Sequence, residues 1–226
     1  MARKVIPATP DQDDYEAKKD EYQARSGEHG MFTADDPIQL FETWLEEAGE
    51  SEINDSNSMT LATVDNFGMP DARMVLLKDV DAKGFVFYTN ANSAKGEQLI
   101  SGKKAALCFH WKSLRRQVRV RGPVAVVGKA ESDAYFASRA RGSQIGAWAS
   151  EQSKPVFDRF ELEDAVEAVE TRFKGRDVIR PPHWYGWRVK PISVEFWADG
   201  AYRLHDRRRF YRARTGARWQ SERLSP

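Results

Sequence analysis

The 226-residue sequence predicts an α+β protein, mainly β, in which an antiparallel sheet curls into a barrel with helices at its periphery. Three observations carry that expectation. From Met59 onward, β-branched and aromatic runs recur at short intervals with turn residues between them. Helical periodicity is confined to a few segments between and around those runs. Hydrophobic residues make up 41% of the chain, including 7 Trp and 12 Phe, enough for one sizeable core. No internal repeat or low-complexity tract divides it, so an N-terminal arm over 1–30 and a single domain over 31–226 are the simplest organisation.

Residues 1–30 mix acidic and basic side chains with almost no apolar period, which predicts a mobile arm. Asp36-Pro37 opens an amphipathic helix: Ile38, Leu40, Phe41, Trp44 and Leu45 recur at helical spacing, and Pro suits the first turn. It should end near Gly49 and plug one end of the barrel. Strands are expected at 59–64, 72–78, 85–89, 105–111 and 117–127, separated by turn signals such as Asp65-Asn66-Phe67-Gly68 and Asp81-Ala82-Lys83-Gly84. Helices interrupt at 93–100, 132–138 and 161–173, the last with Leu162, Ala165, Val166, Val169 and Phe173 on one stripe. Strands return at 187–197, 202–210 and 218–224.

Composition then bounds the function. No stretch approaches the roughly 18 consecutive apolar residues of a membrane span, and Met1-Ala2-Arg3-Lys4-Val5 lacks the apolar block of a secretory leader. A cytoplasmic protein with no membrane partner is expected. Cys108 is the only cysteine, which excludes an intrachain disulfide and a cysteine-rich zinc site, and its apolar setting reads as an inert buried thiol. The net charge of +1 hides an asymmetry: residues 1–60 carry 5 basic and 15 acidic side chains, the other 166 carry 30 and 19. A basic body points to anionic ligands, nucleic acid among them, or to a solvated charged surface.

No G-x-G-x-x-G, no G-x-x-x-x-G-K-[ST] and no Gly-x-Gly occurs, so phosphate must be held by side chains and not by a glycine-rich backbone cradle. His29, His110, His183 and His205 lack metal-ligand spacing, and no G-x-S-x-G elbow is present; no metal is expected. Cationic and hydroxyl residues in unusual places remain. In Arg203-Leu204-His205-Asp206-Arg207 a strand period would put Arg203, His205 and Arg207 on one face, where they need an anion or carboxylate beside them, unless this is an edge strand carrying charge against aggregation. Arg73 and Lys78 bracket the apolar run Met74-Val75-Leu76-Leu77 and need a partner or a route to solvent. Tyr88-Thr89-Asn90 leads to Ser93, a helix N-cap, with Lys95 in a first turn where a bound phosphate would be favourable. Gln117, Arg119 and Arg121 share a strand face opposite Val118 and Val120, either a ligand or subunit side or a half-solvated strand. Tyr135, Arg139 and Ser143 would stack on one face of a continuous helix, although Gly142 argues against continuity.

In order and spacing these places resemble the pyridoxamine 5′-phosphate oxidase family, from about Pro37 to Pro226. The most specific match is Val194-Glu195-Phe196-Trp197 followed by Arg203-Leu204-His205-Asp206-Arg207, joined by Arg73-Met74-Val75-Leu76-Leu77-Lys78, Phe85-Val86-Phe87-Tyr88-Thr89-Asn90, Arg116-Gln117-Val118, Ser143-Gln144-Ile145-Gly146-Ala147-Trp148 and Arg223-Leu224-Ser225-Pro226. The resemblance implies an FMN-binding split β-barrel and a homodimer with FMN at the subunit interface. The implied reaction oxidises pyridoxamine or pyridoxine 5′-phosphate to pyridoxal 5′-phosphate, with oxygen as acceptor, hydrogen peroxide as product and ammonia released from the amine. It assigns Arg73, Met74, Val75, Leu76, Leu77, Lys78, Tyr88, Thr89, Lys95, Gln117, Gln152, Ser153, Trp197 and Arg207 to FMN. Lys78, Tyr135, Arg139 and Ser143 go to the substrate phosphate, and Arg203 and His205 to the pyridine ring as the catalytic pair; Lys19 and Tyr22 fall where the family's arm approaches substrate. The sequence departs from the pattern at Ala94, where Arg is common beside the flavin phosphate, at Ala198, and at Arg115. A related flavoprotein with another substrate, and a non-catalytic binder of nucleic acid or pyridoxal phosphate, are the alternative readings.

Overall fold

The computed structural model describes residues 10–17, 19 and 31–226. Most of the expected arm, Tyr22 included, lies outside the described residues. Within it, α1 (Gln12–Glu16) is closed by a reciprocal capping box between Asp11 and Asp14. The next helix, α2 (Pro37–Ser51), starts where the sequence places it. Asp36 accepts from the Ile38 and Gln39 amides at 2.8 and 3.2 Å, and Pro37 fills the first turn.

Ten strands follow: β1 (Ser58–Val64), β2 (Pro70–Leu76), β3 (Asp79–Asp81), β4 (Gly84–Asn90), β5 (Lys104–Trp111), β6 (Arg116–Val126), β7 (Trp184–Val189), β8 (Ser193–Ala198), β9 (Asp206–Tyr211) and β10 (Gln220–Arg223). Between them lie α3 (Ala94–Gly102), α4 (Lys129–Ser138), α5 (Arg141–Ala149) and α6 (Arg159–Arg172). The main path runs β10-β9-β8-β6-β5-β1-β2, while β4 joins β3 to β7 and β7 joins β6. All pairs are antiparallel. The long strand β6 serves both branches, Arg116 to Arg121 against β8 and Val124 to Val126 against β7. The switch falls at Gly122-Pro123, where the backbones come so close that a Cβ on Gly122 would sit 2.0 Å from the Lys190 carbonyl oxygen. That bend curls the sheet around α2.

Alternation decides which face is core. Met59, Leu61, Leu107, Phe109, Val118, Val120, Val194 and Phe196 point inward and are buried, while Thr60, Cys108 and Arg119 line the outer face. Helix α2 fills the concave side, with Phe41 edge-on to Phe85 and Phe109 at 4.8 Å and Trp44 edge-on to Phe196 at 5.1 Å. Buried rings of this size contribute about 3 to 5 kcal/mol each relative to alanine. A smaller core of Phe136, Ile145, Phe173, Val178 and Trp184 packs α4, α5 and α6 against the start of β7. Burial pushes the Cys108 thiol up, which keeps it protonated.

The structure corrects the strand reading in four places. The strand expected over 187–197 is two, β7 and β8, because Pro191 has no amide to donate and the chain changes sheet there, Lys190 bonding Pro123 and Ile192 bonding Arg121. The strand expected from 202 begins only at Asp206. Residues Ala201–Arg203 form a tight turn with Tyr202 and Arg203 at φ 55° and 63°, so Arg203, His205 and Arg207 do not share a strand face. A short strand, β3, occupies part of what read as a turn. Strand β2 ends at Leu76 on a sheet edge with Met74 62% exposed, so its apolar run is not a buried strand, and Lys78 lies beyond it.

Candidate active site

The ends of β2 and β4 and the starts of α3 and β7 surround a pocket of about 300 Å³ lined by Met74, Val75, Leu76, Lys78, Tyr88, Thr89, Asn90, Lys95, Tyr135, Arg139, Gln152 and Trp184. A neighbouring pocket of about 270 Å³ shares Asn90, Arg139, Gln152 and Trp184 and adds Ser143. Together they gather eleven of the residues the sequence singled out, plus Asn90 and Trp184, which it did not assign. Leu77 instead turns into the core, 4% exposed, and Ser153 is exposed at φ 75°.

Local structure explains why cations converge here. Ser93 caps α3, accepting from the Gly96 amide at 3.3 Å, and the first turn carries Lys95. Burial and then the neighbouring Arg73 hold the Lys95 ammonium below its ordinary pKa, and an anion would relieve both effects. Arg73 is fixed by four acceptors: Leu61 O at 3.0 Å, Thr63 Oγ1 at 2.6 Å, Gln98 Oε1 at 3.0 Å, and Asp71. Gln98, one helical turn beyond Lys95, also donates to Asp71 at 3.2 Å. Sequence reasoning missed it, although its spacing from Lys95 puts both on one face of α3. Thr89 Oγ1 donates to Gln152 Oε1 at 3.3 Å.

Helix α4 ends at Ser138 because Arg139 is extended (φ −74°, ψ 149°), and α5 restarts at Arg141. Tyr135, Arg139 and Ser143 therefore reach the paired pockets through a helix break and not through a continuous face. The Arg139 guanidinium lies 4.6 Å from the centroid of Trp184, with its Nη1 buried and lacking any hydrogen-bond partner among the described residues. Tyr88 stacks on Tyr135 at 4.0 Å and on Trp184 at 5.3 Å. Burial first, then Glu131 and Tyr135, pushes the Tyr88 phenol up to about 12. Stability from that protonated phenol is fully present below the ordinary value of 10.0 and is lost as pH rises through about 12. Urea midpoints of Tyr88→Phe should accordingly fall less over that interval than those of the unmodified protein, whereas parallel declines would contradict the assignment.

The remaining expected residues form a second group on β6, β8, β9 and the turn before β9. Gln117, Trp197 and Arg207 are direct cross-strand neighbours on β6, β8 and β9. The His205 ring lies 4.7 Å from that of Trp197. Its Nδ1 accepts from the Gly200 amide at 3.2 Å in the neutral ring and is 3.3 Å from Asp199 Oδ1, to which it would donate once protonated. Arg207 bonds Glu195 Oε1 through Nε and Nη2 at 3.0 and 2.8 Å and Ser225 O through Nη1 at 2.7 Å. Carboxylates of the chain itself thus stand beside His205 and Arg207. Arg203 is exposed on its turn, and Tyr15 of α1 packs on the adjacent Tyr202 at 4.7 Å. None of this second group lines the two pockets. Among the described residues no helix is long and apolar enough to cross a membrane, and no cluster of three metal-ligating side chains occurs.

Residues 45–173 match the family model for pyridoxamine 5′-phosphate oxidase, and 184–226 match that for the pyridoxine 5′-phosphate oxidase C-terminal dimerisation region. The chain belongs to the pyridoxamine 5′-phosphate oxidase family. It is 57% identical to the pyridoxine/pyridoxamine 5′-phosphate oxidase of Maricaulis maris over 99% of this chain and 98% of that one. Among solved structures of this fold it is similar to PhzG of Burkholderia lata, in complex with tetrahydrophenazine-1-carboxylic acid, with TM-score 0.79 and 28% identity, covering 86% of this chain and 94% of that one. A pyridoxamine 5′-phosphate oxidase-related, FMN-binding protein of Nostoc punctiforme has TM-score 0.68 at 16% identity, covering 86% of this chain and all of its own, and shares the fold. In this oxidase family member both residue groups fall inside the matched segments.

Proposed function

We propose that this chain is an FMN-dependent oxidase converting pyridoxamine or pyridoxine 5′-phosphate to pyridoxal 5′-phosphate, acting as a cytoplasmic homodimer. The observation that carries the reading is the buried, unpartnered Nη1 of Arg139 in a pocket that also presents Lys78 and Lys95. A buried donor without a partner costs about 1 to 3 kcal/mol, and a phosphate oxygen would satisfy it.

The residues present fit FMN. Lys95, with Arg73 beside it, supplies the cationic end for its phosphate, Tyr88, Thr89 and Gln152 supply hydroxyl and amide groups, and Met74 to Leu76 offer an apolar edge for its ring system. FMN, when bound, provides the two-electron acceptor, with oxygen as the final acceptor. The protein's own part is placement. Lys78, Arg139, Tyr135 and Ser143 grip the substrate phosphate, while Arg203 orients the pyridine ring and stabilises charge on it. His205 orients the same ring and assists proton transfer, with Asp199 beside its Nδ1. Because no residue of the second group lines the two pockets, a homodimer in which each chain completes the other's site accounts for both, in keeping with the matched dimerisation region.

Nucleic acid binding is disfavoured, since many arginines of the basic body are already paired: Arg116 with Glu47, Arg119 with Glu195, Arg208 with Asp35 and Arg209 with Glu222. The purified protein should be yellow, release FMN on denaturation and take up oxygen with pyridoxamine 5′-phosphate. A colourless protein that added FMN cannot reconstitute would sink the proposal, and bound FMN without turnover of either vitamer would redirect it to another substrate.

A further inference from the structure

Trp184 is 7% exposed and lies against three expected site residues, Tyr88 on the FMN side and Tyr135 and Arg139 on the substrate-phosphate side. Its ring is stacked with Tyr88 at 5.3 Å and lies nearly parallel to Tyr135, 6.1 Å away at 6°. On it rests the Arg139 guanidinium, 4.6 Å from the ring centroid. Phe136 meets it edge-on at 5.2 Å, so the indole is held by the smaller core. Its main chain is fixed as well: it pairs with Asn90 of β4, and its carbonyl accepts from Arg180 Nη1 at 2.6 Å, whose Nε bonds Asp133 of α4 at the same distance. The helix that carries Tyr135 and the strand that carries Tyr88 are thereby tied to one indole.

Arg139 needs such a plate. It emerges from an extended residue between two helices, where neither helix directs its side chain, and among the described residues its Nη1 has no partner to fix it. A guanidinium on an aromatic face is held in plane yet keeps its in-plane N–H groups free for an anion. We infer that Trp184 is a positioning residue that aims the Arg139 fork together with Tyr135 and Tyr88, and that it thereby sets the preference for phosphorylated over unphosphorylated ligands. This rests on the reading that Arg139 and Tyr135 hold the substrate phosphate.

The test compares equilibrium dialysis of pyridoxal 5′-phosphate and of pyridoxal on FMN-loaded unmodified protein, Trp184→Phe, Trp184→Leu, Arg139→Ala and the Arg139→Ala/Trp184→Leu double variant. The unmodified protein should prefer the phosphorylated ligand. Trp184→Leu should cut that preference about tenfold and leave pyridoxal affinity unchanged, and Trp184→Phe, which keeps a smaller ring, about threefold. In turnover, KM for pyridoxamine 5′-phosphate should rise by about the same factor with kcat within about twofold. Once Arg139 is gone, Trp184→Leu should reduce the preference no further. Equal weakening of both ligands, an unchanged preference in either folded Trp184 variant, or a full effect in the Arg139→Ala background would overturn the inference. Should Trp184→Leu not fold, Trp184→Phe decides alone. An unmodified protein with no preference overturns the phosphate reading itself, and the role of Trp184 with it.

Discussion

Arg139→Ala is expected to raise KM for pyridoxamine 5′-phosphate about a hundredfold while the protein stays folded and yellow. A charge-assisted hydrogen bond contributes about 1.5 to 3 kcal/mol, and a fork presenting two such bonds to one phosphate reaches about 3 kcal/mol after partial compensation by Lys78. The fold should not suffer in proportion. Among the described residues Arg139 makes no ion pair and its buried Nη1 has no acceptor, so truncation removes a penalty along with the contact to Trp184. The two nearly cancel, and Tm of the ligand-free protein should stay within about 3 °C. Arg139→Lys should recover only part of the loss, because an ammonium keeps the charge but lacks the planar fork that lies on the indole. Steady-state kinetics and a thermal melt check both halves. A hundredfold loss accompanied by a large drop in Tm would make Arg139 a structural residue, and an unchanged KM would remove it from the phosphate site.

How far the sequence revealed this site varies with the physics behind each part. The strands were legible because inward residues such as Leu107, Phe109, Val118 and Val120 alternate with outward Cys108 and Arg119, a pattern that burial imposes directly. The first helix was legible from Asp36-Pro37 and its apolar stripe. By contrast, the 201–205 turn depends on positive φ at Tyr202 and Arg203, residues with no intrinsic preference for it. The turn also closes tightly on itself, for a Cβ on Gly200 would sit 2.0 Å from the Leu204 carbonyl oxygen. Strand periodicity therefore failed at the very motif that best revealed the family. Helix α5 was missed because Gly142 and Gly146 lower its propensity, and tertiary packing of Ile145 against the smaller core stabilises it instead. Arg73 and Lys78 stand out in the sequence as cations at strand ends, and Asp71 shares the Arg73 face of β2 by strand period, but the Gln98 contact to Arg73 and the Trp184 plate under Arg139 join distant segments that no local pattern encodes.

The separation of the two residue groups leads to the second large effect. Arg203→Ala should leave FMN bound, since Arg203 is exposed on its turn and assigned to the substrate ring, yet lower kcat about a hundredfold by removing charge stabilisation over that ring. Each of Arg139→Ala and Arg203→Ala is then nearly inactive alone at substrate concentrations near the normal KM. If the pocket of one chain is completed by the β8–β9 side of its partner, a mixed dimer of the two variants carries one site with both defects and one with neither. Random assortment makes about half of the dimers mixed, each with one intact site of two, so co-expression should return about a quarter of normal activity. Differently tagged chains, co-expressed and purified through both tags, enrich the mixed dimer and should reach about half. A single chain that closed its own site would give no recovery, because every site would then hold one of the two defects. Activity no greater than that of the separate variants therefore places Arg139 and Arg203 in the same site of the same chain. Recovery to the expected fraction places them on opposite chains and makes dimerisation a condition of catalysis.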